Sequence, residues 1–240
     1  MDIGDVISDS MRYPSTNWKN VIILGLLFMF SFLIVPLFLL YGYVFRVIKA
    51  SLAGIEGLPD FEEWGEMLVD GIKMFLVHII YMLPAMILVI YSIFTVSMAL
   101  YSFSYLNPTT ALNPTIIYSL IGGSAALGMG CALIYSLIIY PIMAVGIGNM
   151  AFYNGDLGSA FKIGDILSII SKIGWVDMII WYVVIIIVII TIFVAGTIIS
   201  MIPLLGWLLI TLIVYPYLYL FLGRSVAWLY ASAFTEEYEP

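Results

Sequence analysis

The sequence predicts an all-α integral membrane protein, a helical bundle of about six transmembrane spans in three hairpins with interfacial amphipathic helices. Hydrophobic residues make up 64% of the chain and charged residues only 10%, a composition outside the range of soluble domains. Several apolar runs exceed the roughly 18 residues that mark a membrane-spanning helix. These runs must be helical, because unpaired strand edges cannot be satisfied in lipid.

In chain order, the predicted elements fill residues 1–240 as a single membrane domain that ends in a short acidic tail at 236–240. An interfacial segment at 1–19 precedes the first apolar run at 21–53, which forms either a hairpin or one kinked span. The first arm of such a hairpin is short of the roughly 20 residues that a span needs. The later predicted spans lie at 72–103, 116–153, 174–200 and 204–234.

A short motif recurs along the chain. Ile3-Gly-Asp-Val-Ile-Ser8 matches Ile163-Gly-Asp-Ile-Leu-Ser168, and each copy precedes a tryptophan, Trp18 or Trp175, that opens a span. The recurrence predicts repeat-like units at about 1–53, 54–153 and 154–235. Each unit would contain an amphipathic helix, an outgoing span, a turn and a returning span.

The positive charges predict the orientation. With six spans, all eight Lys and Arg residues fall on one side of the membrane, whereas a single kinked span at 21–53 would divide them six against two. The positive-inside rule prefers the first arrangement. We therefore expect a multi-pass protein of the plasma membrane with both termini in the cytoplasm.

The most charged internal stretch runs from Leu58 to Lys73 and is predicted to be an amphipathic helix at the membrane surface. Pro59 suits a first helical turn, and acidic residues are favoured there by the helix dipole. Interfacial helices that bind anionic lipid are usually rich in Lys and Arg, but this one is acidic. Its carboxylates face water, Arg46 and Lys49, or a protein partner. The candidate partner surface consists of Asp60, Glu62, Glu63 and Glu66.

Ionisable residues near or within the spans are candidate functional residues. His78 lies two helical turns after Asp70, so the two could relay protons, or His78 could be a hydrogen-bonded histidine near the interface. Asp177 could pair with Arg224 or Arg46, or lie among the lipid headgroups. Asn149 could polarise a ligand or cap a bent helix.

Other classes of function are disfavoured by composition. The net charge of −7 gives no reason to expect nucleic acid as a partner. One histidine and one cysteine, Cys131, leave no internal disulfide, and we find no catalytic, metal or cofactor motif. We therefore expect no cofactor, and a protein that is not an enzyme.

Three stretches carry a resemblance to a known family. They are Ile3-Gly-Asp-Val with Tyr13-Pro-Ser-Thr-Asn-Trp-Lys19, Gly42-Tyr-Val-Phe-Arg46, and above all Leu58-Pro-Asp-Phe-Glu-Glu-Trp-Gly65 with Val69-Asp-Gly-Ile-Lys73. Together they resemble the prokaryotic, largely archaeal, membrane-protein family catalogued as domain of unknown function 4013. The resemblance implies a multi-span membrane protein, and supplies no established activity and no catalytic residues.

Three functions follow as hypotheses. The first is a non-enzymatic component of the lipid bilayer, an accessory or scaffold subunit whose acidic cytoplasmic surface binds a protein partner. The second is a carrier of a small apolar or lipid-like solute along helices broken at Pro141 and Pro216. The third is a lipid-modifying membrane enzyme.

Overall fold

A computed structural model describes residues 3–106, 115, 119 and 121–235 of the chain. Across these residues the protein is helical and contains no strand, which confirms the all-α prediction. Five helices are long and apolar enough to span a membrane, and a sixth, shorter apolar helix precedes them. The helices are α1 (Ile3–Arg12), α2 (Trp18–Met29), α3 (Ile34–Leu52), α4 (Trp64–Leu106), α5 (Ala126–Phe152), α6 (Ile163–Ile173), α7 (Trp175–Ser200), α8 (Leu205–Leu209) and α9 (Tyr215–Thr235).

The described residues form two compact units. The first unit contains the described residues up to 77 and from 141 onward, and the second contains those within 78–140. Both Ile-Gly-Asp motifs begin short amphipathic helices, α1 and α6, and each is followed by a helix that starts at a tryptophan. The threefold repeat itself stays a prediction. Positions 107–114 of the predicted turn and the acidic tail lie outside the described residues.

The first apolar run is a hairpin. Helices α2 and α3 are separated by residues 30–33, and the start of α2 lies beside the later part of α3. This follows because the side-chain amide of Asn20 and the hydroxyl of Tyr43 both donate to the Pro59 carbonyl oxygen, at 3.0 and 2.8 Å. The 12 residues of α2 extend only about 18 Å at 1.5 Å per residue, so this arm is shorter than the hydrocarbon core of a bilayer.

Helix α9 is the central helix of the first unit and packs against α1, α2, α3, α6 and α7. Gly223 lies against Val44 and Val47 of α3, which allows the two helices to approach closely. On another side of α9, the buried indole Nε1 of Trp181 in α7 donates to the Ser225 hydroxyl at 2.7 Å. The hydrogen bond satisfies the polar atom of a large aromatic side chain inside the apolar core.

Pro216 and Gly25 together explain the close contact between α2 and the π-helical segment before α9. A π-helical segment, Ile210–Val214, ends two residues before Pro216, which has no N–H to donate to the Leu212 carbonyl four residues earlier. That carbonyl instead lies against Gly25 of α2, where a Cβ atom would overlap it. By contrast, α5 remains one α-helix on both sides of Pro141.

One predicted element is wrong. The stretch from Leu58 does not begin an amphipathic helix at Pro59, because residues 53–63 are a non-helical loop and α4 starts only at Trp64. Side chains of the first hairpin bond to the carbonyl oxygens of this loop, and Glu63 has a left-handed φ of 48°. From Trp64 the helix continues into a span, so it is not a separate interfacial helix.

The second unit contains residues of α4 and α5. The Tyr135 hydroxyl donates to the Tyr81 carbonyl oxygen at 2.9 Å. Gly128 lies against Ser92, and Ala132 is buried. Small residues therefore permit close helix packing here, as expected of such rows in membrane proteins.

Candidate functional site

The candidate site is the loop at residues 53–63, called the acidic loop here, together with the first turn of α4. The Pro59 carbonyl oxygen accepts the hydrogen bonds from Asn20 and Tyr43 described above, which tie the loop to both helices of the first hairpin. The Phe61 ring stacks on the Tyr43 ring with centroids 3.9 Å apart and planes 2° from parallel. The Trp64 ring continues this stack, with its centroid 5.7 Å from that of Phe61. The loop is therefore held by both polar and aromatic contacts.

Arg46 binds the main chain of the loop. Its guanidinium Nη1 donates to the carbonyl oxygens of Asp60 and Glu62 at 3.2 and 2.6 Å. Its Nη2 lies 3.5 Å from the Glu63 carbonyl oxygen, to which it also donates. Several donors in a planar fork suit Arg to this task. Arg46 therefore bonds to backbone oxygens of the loop, whereas the sequence predicts the acidic side chains as its partners.

The carboxylates of the loop point outward. Asp60, Glu62 and Glu63 are all exposed. Glu66, in the first turn of α4, lies 3.9 Å from the Lys49 ammonium, and its side chain is 58% exposed. An exposed pair at this distance contributes little to stability. The four residues predicted as a partner surface therefore form an exposed acidic surface. The loop backbone beneath three of them is held by hydrogen bonds from the first hairpin.

A second polar cluster surrounds Arg224, which is buried. Its Nε donates to Asp9 Oδ2 at 2.7 Å, and its Nη1 donates to the Ile55 carbonyl oxygen at 3.1 Å. The guanidinium lies between two rings, 4.7 Å from the centroid of Tyr13 and 5.6 Å from that of Trp228. Trp228 Nε1 also donates to Asp9 Oδ2 at 2.7 Å. Helix α1 is thus joined to α9 through one carboxylate.

Sequence reasoning missed Asp9, and the proposed pairing of Asp177 with Arg224 or Arg46 is wrong. Burial alone would raise the pKa of Asp9, but the hydrogen bonds from Arg224 and Trp228 lower it below the ordinary value. Asp177 lies instead in the first turn of α7, beside Gly174.

Asp70 is buried between two lysines. Lys49 Nζ lies 3.4 Å from its Oδ2, and Lys73 Nζ lies 3.7 Å from its Oδ1. Lys73 also donates to the carbonyl oxygen of Gly155, which has a left-handed φ of 81° next to the Asp70 carboxylate. His78 belongs to the other unit, so its relay with Asp70 stays a prediction, and in the first unit Asp70 joins α3, α4 and the turn after α5.

Asn149 is a structural residue by its contacts. Its side-chain amide donates to the Ser159 carbonyl oxygen at 2.9 Å, and its Oδ1 accepts from the Tyr230 hydroxyl at 2.8 Å. Next to it, Asp156 caps the turn Leu157–Phe161. The side-chain hydrogen bond from Ser159 lowers the pKa of Asp156, helped by backbone N–H groups. The bonds of Asn149 join α5 to this turn and to α9. Neither bond caps a bend in α5, so both alternatives for Asn149 stay predictions.

In the two buried polar clusters the charges are paired: Arg224 with Asp9, and Asp70 with Lys49 and Lys73. A cavity of about 220 Å³ opens beside Arg224 and is lined also by Ser51, Glu56 and Trp228. Its wall therefore contains one negative residue, Glu56, and one positive residue, Arg224. Among the described residues, no group of three or more His, Cys, Asp or Glu side chains could hold a metal ion. The carboxylates of Asp60, Glu62 and Glu63, by contrast, are exposed.

One comparison with known proteins gives a match. The model of a family described as "Protein of unknown function (DUF4013)" matches residues 25–204, which is three quarters of the chain. No curated protein and no solved structure matches the chain. The matched range includes the acidic loop, Arg46 and the first hairpin from Gly25 onward.

Proposed function

The chain belongs to the DUF4013 family, whose function is unknown, and from this premise we propose that it is a non-enzymatic membrane component that binds a protein partner. It acts as an accessory or scaffold subunit, and the acidic loop is its docking surface. The partner presents a basic segment at the same face of the membrane.

The observation that carries this proposal is that the backbone of the loop is bonded to the protein while its acidic side chains are exposed. Arg46, Asn20 and Tyr43 bond only to its carbonyl oxygens, which leaves the carboxylates of Asp60, Glu62 and Glu63 exposed. A fixed backbone lowers the ordering cost of binding. A cluster of one charge attracts and orients a partner of opposite charge. The geometry therefore suits recognition of a basic protein surface.

The positive charges support a cytoplasmic location for this face. The turns at residues 30–33 and 201–204, at the opposite ends of their hairpins, contain no Lys or Arg. Under the positive-inside rule we infer that the loop and both termini lie in the cytoplasm, and we propose the plasma membrane as the location. A membrane-impermeant maleimide tests this on Cys131→Ser protein carrying Glu62→Cys or Phe32→Cys. We expect Glu62→Cys to be labelled only in inside-out vesicles and Phe32→Cys only in intact cells. The reverse pattern would contradict the orientation.

The partner proposal is tested by removing charge without changing shape. We compare E62Q/E63Q with D5N/D165N, which removes the same two charges from exposed positions on α1 and α6. Native mass spectra of protein purified gently from its own membrane should show a stoichiometric second polypeptide with the wild type and with D5N/D165N. E62Q/E63Q should lose it, and raised salt should weaken the wild-type complex.

Two results would contradict the proposal. One is a wild-type spectrum that contains only this chain. The other is a second polypeptide that is retained equally by E62Q/E63Q, because binding would then not depend on the acidic loop.

A further inference from the structure

A groove lies within the first unit, between α7 and the segment that runs from the π-helical turn into α9. Its volume is about 260 Å³, and its walls are almost entirely apolar. They include Ile189, Gly196, Ser200, Ile210, Tyr215 and Leu218. All of these residues belong to helices that are long and apolar enough to span the membrane.

Gly196 faces open space in one wall of the groove. A Cβ atom at this position would meet no atom within 4 Å. The two nearby glycines of the same unit behave differently, since a Cβ at Gly25 or Gly206 would overlap a backbone carbonyl of a neighbouring segment. Those two glycines permit close helix packing, whereas Gly196 leaves a space open. The π-helical turn at 210–214 forms part of the opposite wall, and such turns occur frequently at functional sites.

Polarity changes along the length of the groove. Ser200 and Thr197 lie at the end of α7 next to the turn at 201–204, the end of the hairpin that a spanning arrangement puts near the membrane surface. Ile189 lies 11 residues earlier, about 16 Å away along the helix at 1.5 Å per residue. Apart from Tyr215, the hydroxyl side chains of the groove are therefore at the turn end, and the remaining wall is apolar.

The hydroxyls at the polar end accept rather than donate. Thr197 already donates to the Val194 carbonyl oxygen, and Ser200 donates to the Thr197 carbonyl oxygen, each at 2.7 Å. Their remaining hydrogen-bonding capacity is the oxygen lone pairs, which require a donor on the ligand. None of the residues that line this groove is charged, so a phosphate is not bound here.

We propose that this groove binds one hydrocarbon chain of a bilayer lipid whose polar end carries a free hydroxyl. The occupant comes from the bilayer because the groove lies in the spans, and one chain suits a volume below the range of pockets that enclose a whole drug-sized ligand. The hydroxyl donates to Ser200 or Thr197, while the chain extends along Ile189 and Leu218. The proposal does not rest on the protein partner of the acidic loop.

The test uses a monoacylglycerol with a diazirine in its chain, in vesicles of phosphatidylglycerol that contain the purified protein. After illumination, mass spectrometry of peptides should locate the adducts within residues 189–200 and 210–218. Labelling should fall progressively in Gly196→Ala, Gly196→Leu and Gly196→Phe, since each larger side chain fills more of the groove. Gly130→Phe is the matched control, because Gly130 also faces open space but belongs to the other unit.

A second probe tests the polar end. The same chain with its hydroxyls methylated should label about fivefold less, which corresponds to the loss of one ordinary hydrogen bond. Equal labelling by both probes, adducts spread evenly over the lipid-facing helices, or full labelling of Gly196→Phe would each overturn the proposal. So would cross-links between two copies of the chain at this groove, because the occupant would then be protein.

Discussion

Replacing Asp9 by alanine should weaken the attachment of α1 to α9 and lower the stability of the first unit. The Asp9 carboxylate accepts from both Arg224 and Trp228 at 2.7 Å. A further side-chain bond, from the Tyr217 hydroxyl to the Met11 carbonyl oxygen, also joins the two helices and stays in place. The Arg224 side chain is only 8% exposed, so water replaces the lost acceptor poorly. Trp228 is more exposed and can bond to water instead.

The expected cost is about 2 kcal/mol of unfolding free energy. A hydrogen bond to a charged group contributes about 1.5–3 kcal/mol, and breaking a fully buried ion pair costs about 3–5 kcal/mol. The Asp9 side chain is 41% exposed, so solvent screening places this pair towards the lower range. Asp9→Asn keeps an acceptor oxygen and should cost about half as much.

Thermal unfolding in detergent micelles and limited proteolysis of the first 16 residues measure the effect. Asp165→Ala is the control, since it removes the same charge from an exposed position in the first turn of another short amphipathic helix, α6, and substitutions of this kind usually stay within about 0.5 kcal/mol. Wild-type melting together with unchanged protease resistance in Asp9→Ala would refute the reasoning.

The pH dependence of stability gives a second check. Because the pKa of Asp9 is lowered on folding, its stabilisation is complete above the ordinary value of 3.8 and is lost as the pH falls below it. The difference between wild type and Asp9→Asn should therefore shrink in that acidic range.

Three further substitutions have defined outcomes. Gly25→Ala should destabilise the protein by about 1–3 kcal/mol through overlap with a helix carbonyl, whereas Gly196→Ala should not; equal melting of the two variants would contradict this contrast. Ser225→Ala removes the acceptor of the buried Trp181 N–H and should cost about 1–3 kcal/mol, measured by thermal unfolding; an unchanged melting temperature would show that water or another group replaces it. Arg46→Ala should speed amide hydrogen exchange and proteolysis in the acidic loop without unfolding the helices, and unchanged exchange there would show that the aromatic stack alone holds the loop.

Much of the fold could be predicted because the signals for it are local. The length and hydrophobicity of α7 alone predict a span, and the apolar periodicity of α1 and α6 predicts amphipathic helices. The exposure of the acidic residues likewise follows from their own chemistry. The family follows from contiguous motifs in the first 73 residues.

The errors arose where distant residues decide the local structure. Pro59 and the acids after it match the start of a helix, but donors from α2 and α3 bond to the loop carbonyls, so tertiary contacts override local preference. The pairing of Asp9 with Arg224 joins residues 215 positions apart. A single sequence contains no signal that selects this carboxylate over Asp177.

The use of main-chain oxygens by Arg46 also affects how the acidic loop can evolve. Every amino acid has the same carbonyl group, so the contacts that fix the loop do not depend on the side chains at positions 60, 62 and 63. At positions 60 and 62 the side chain can therefore change, and with it the charge of the exposed surface, while the bonds from Arg46 to the main chain stay the same. Position 63 is more restricted, because its left-handed φ of 48° disfavours most side chains.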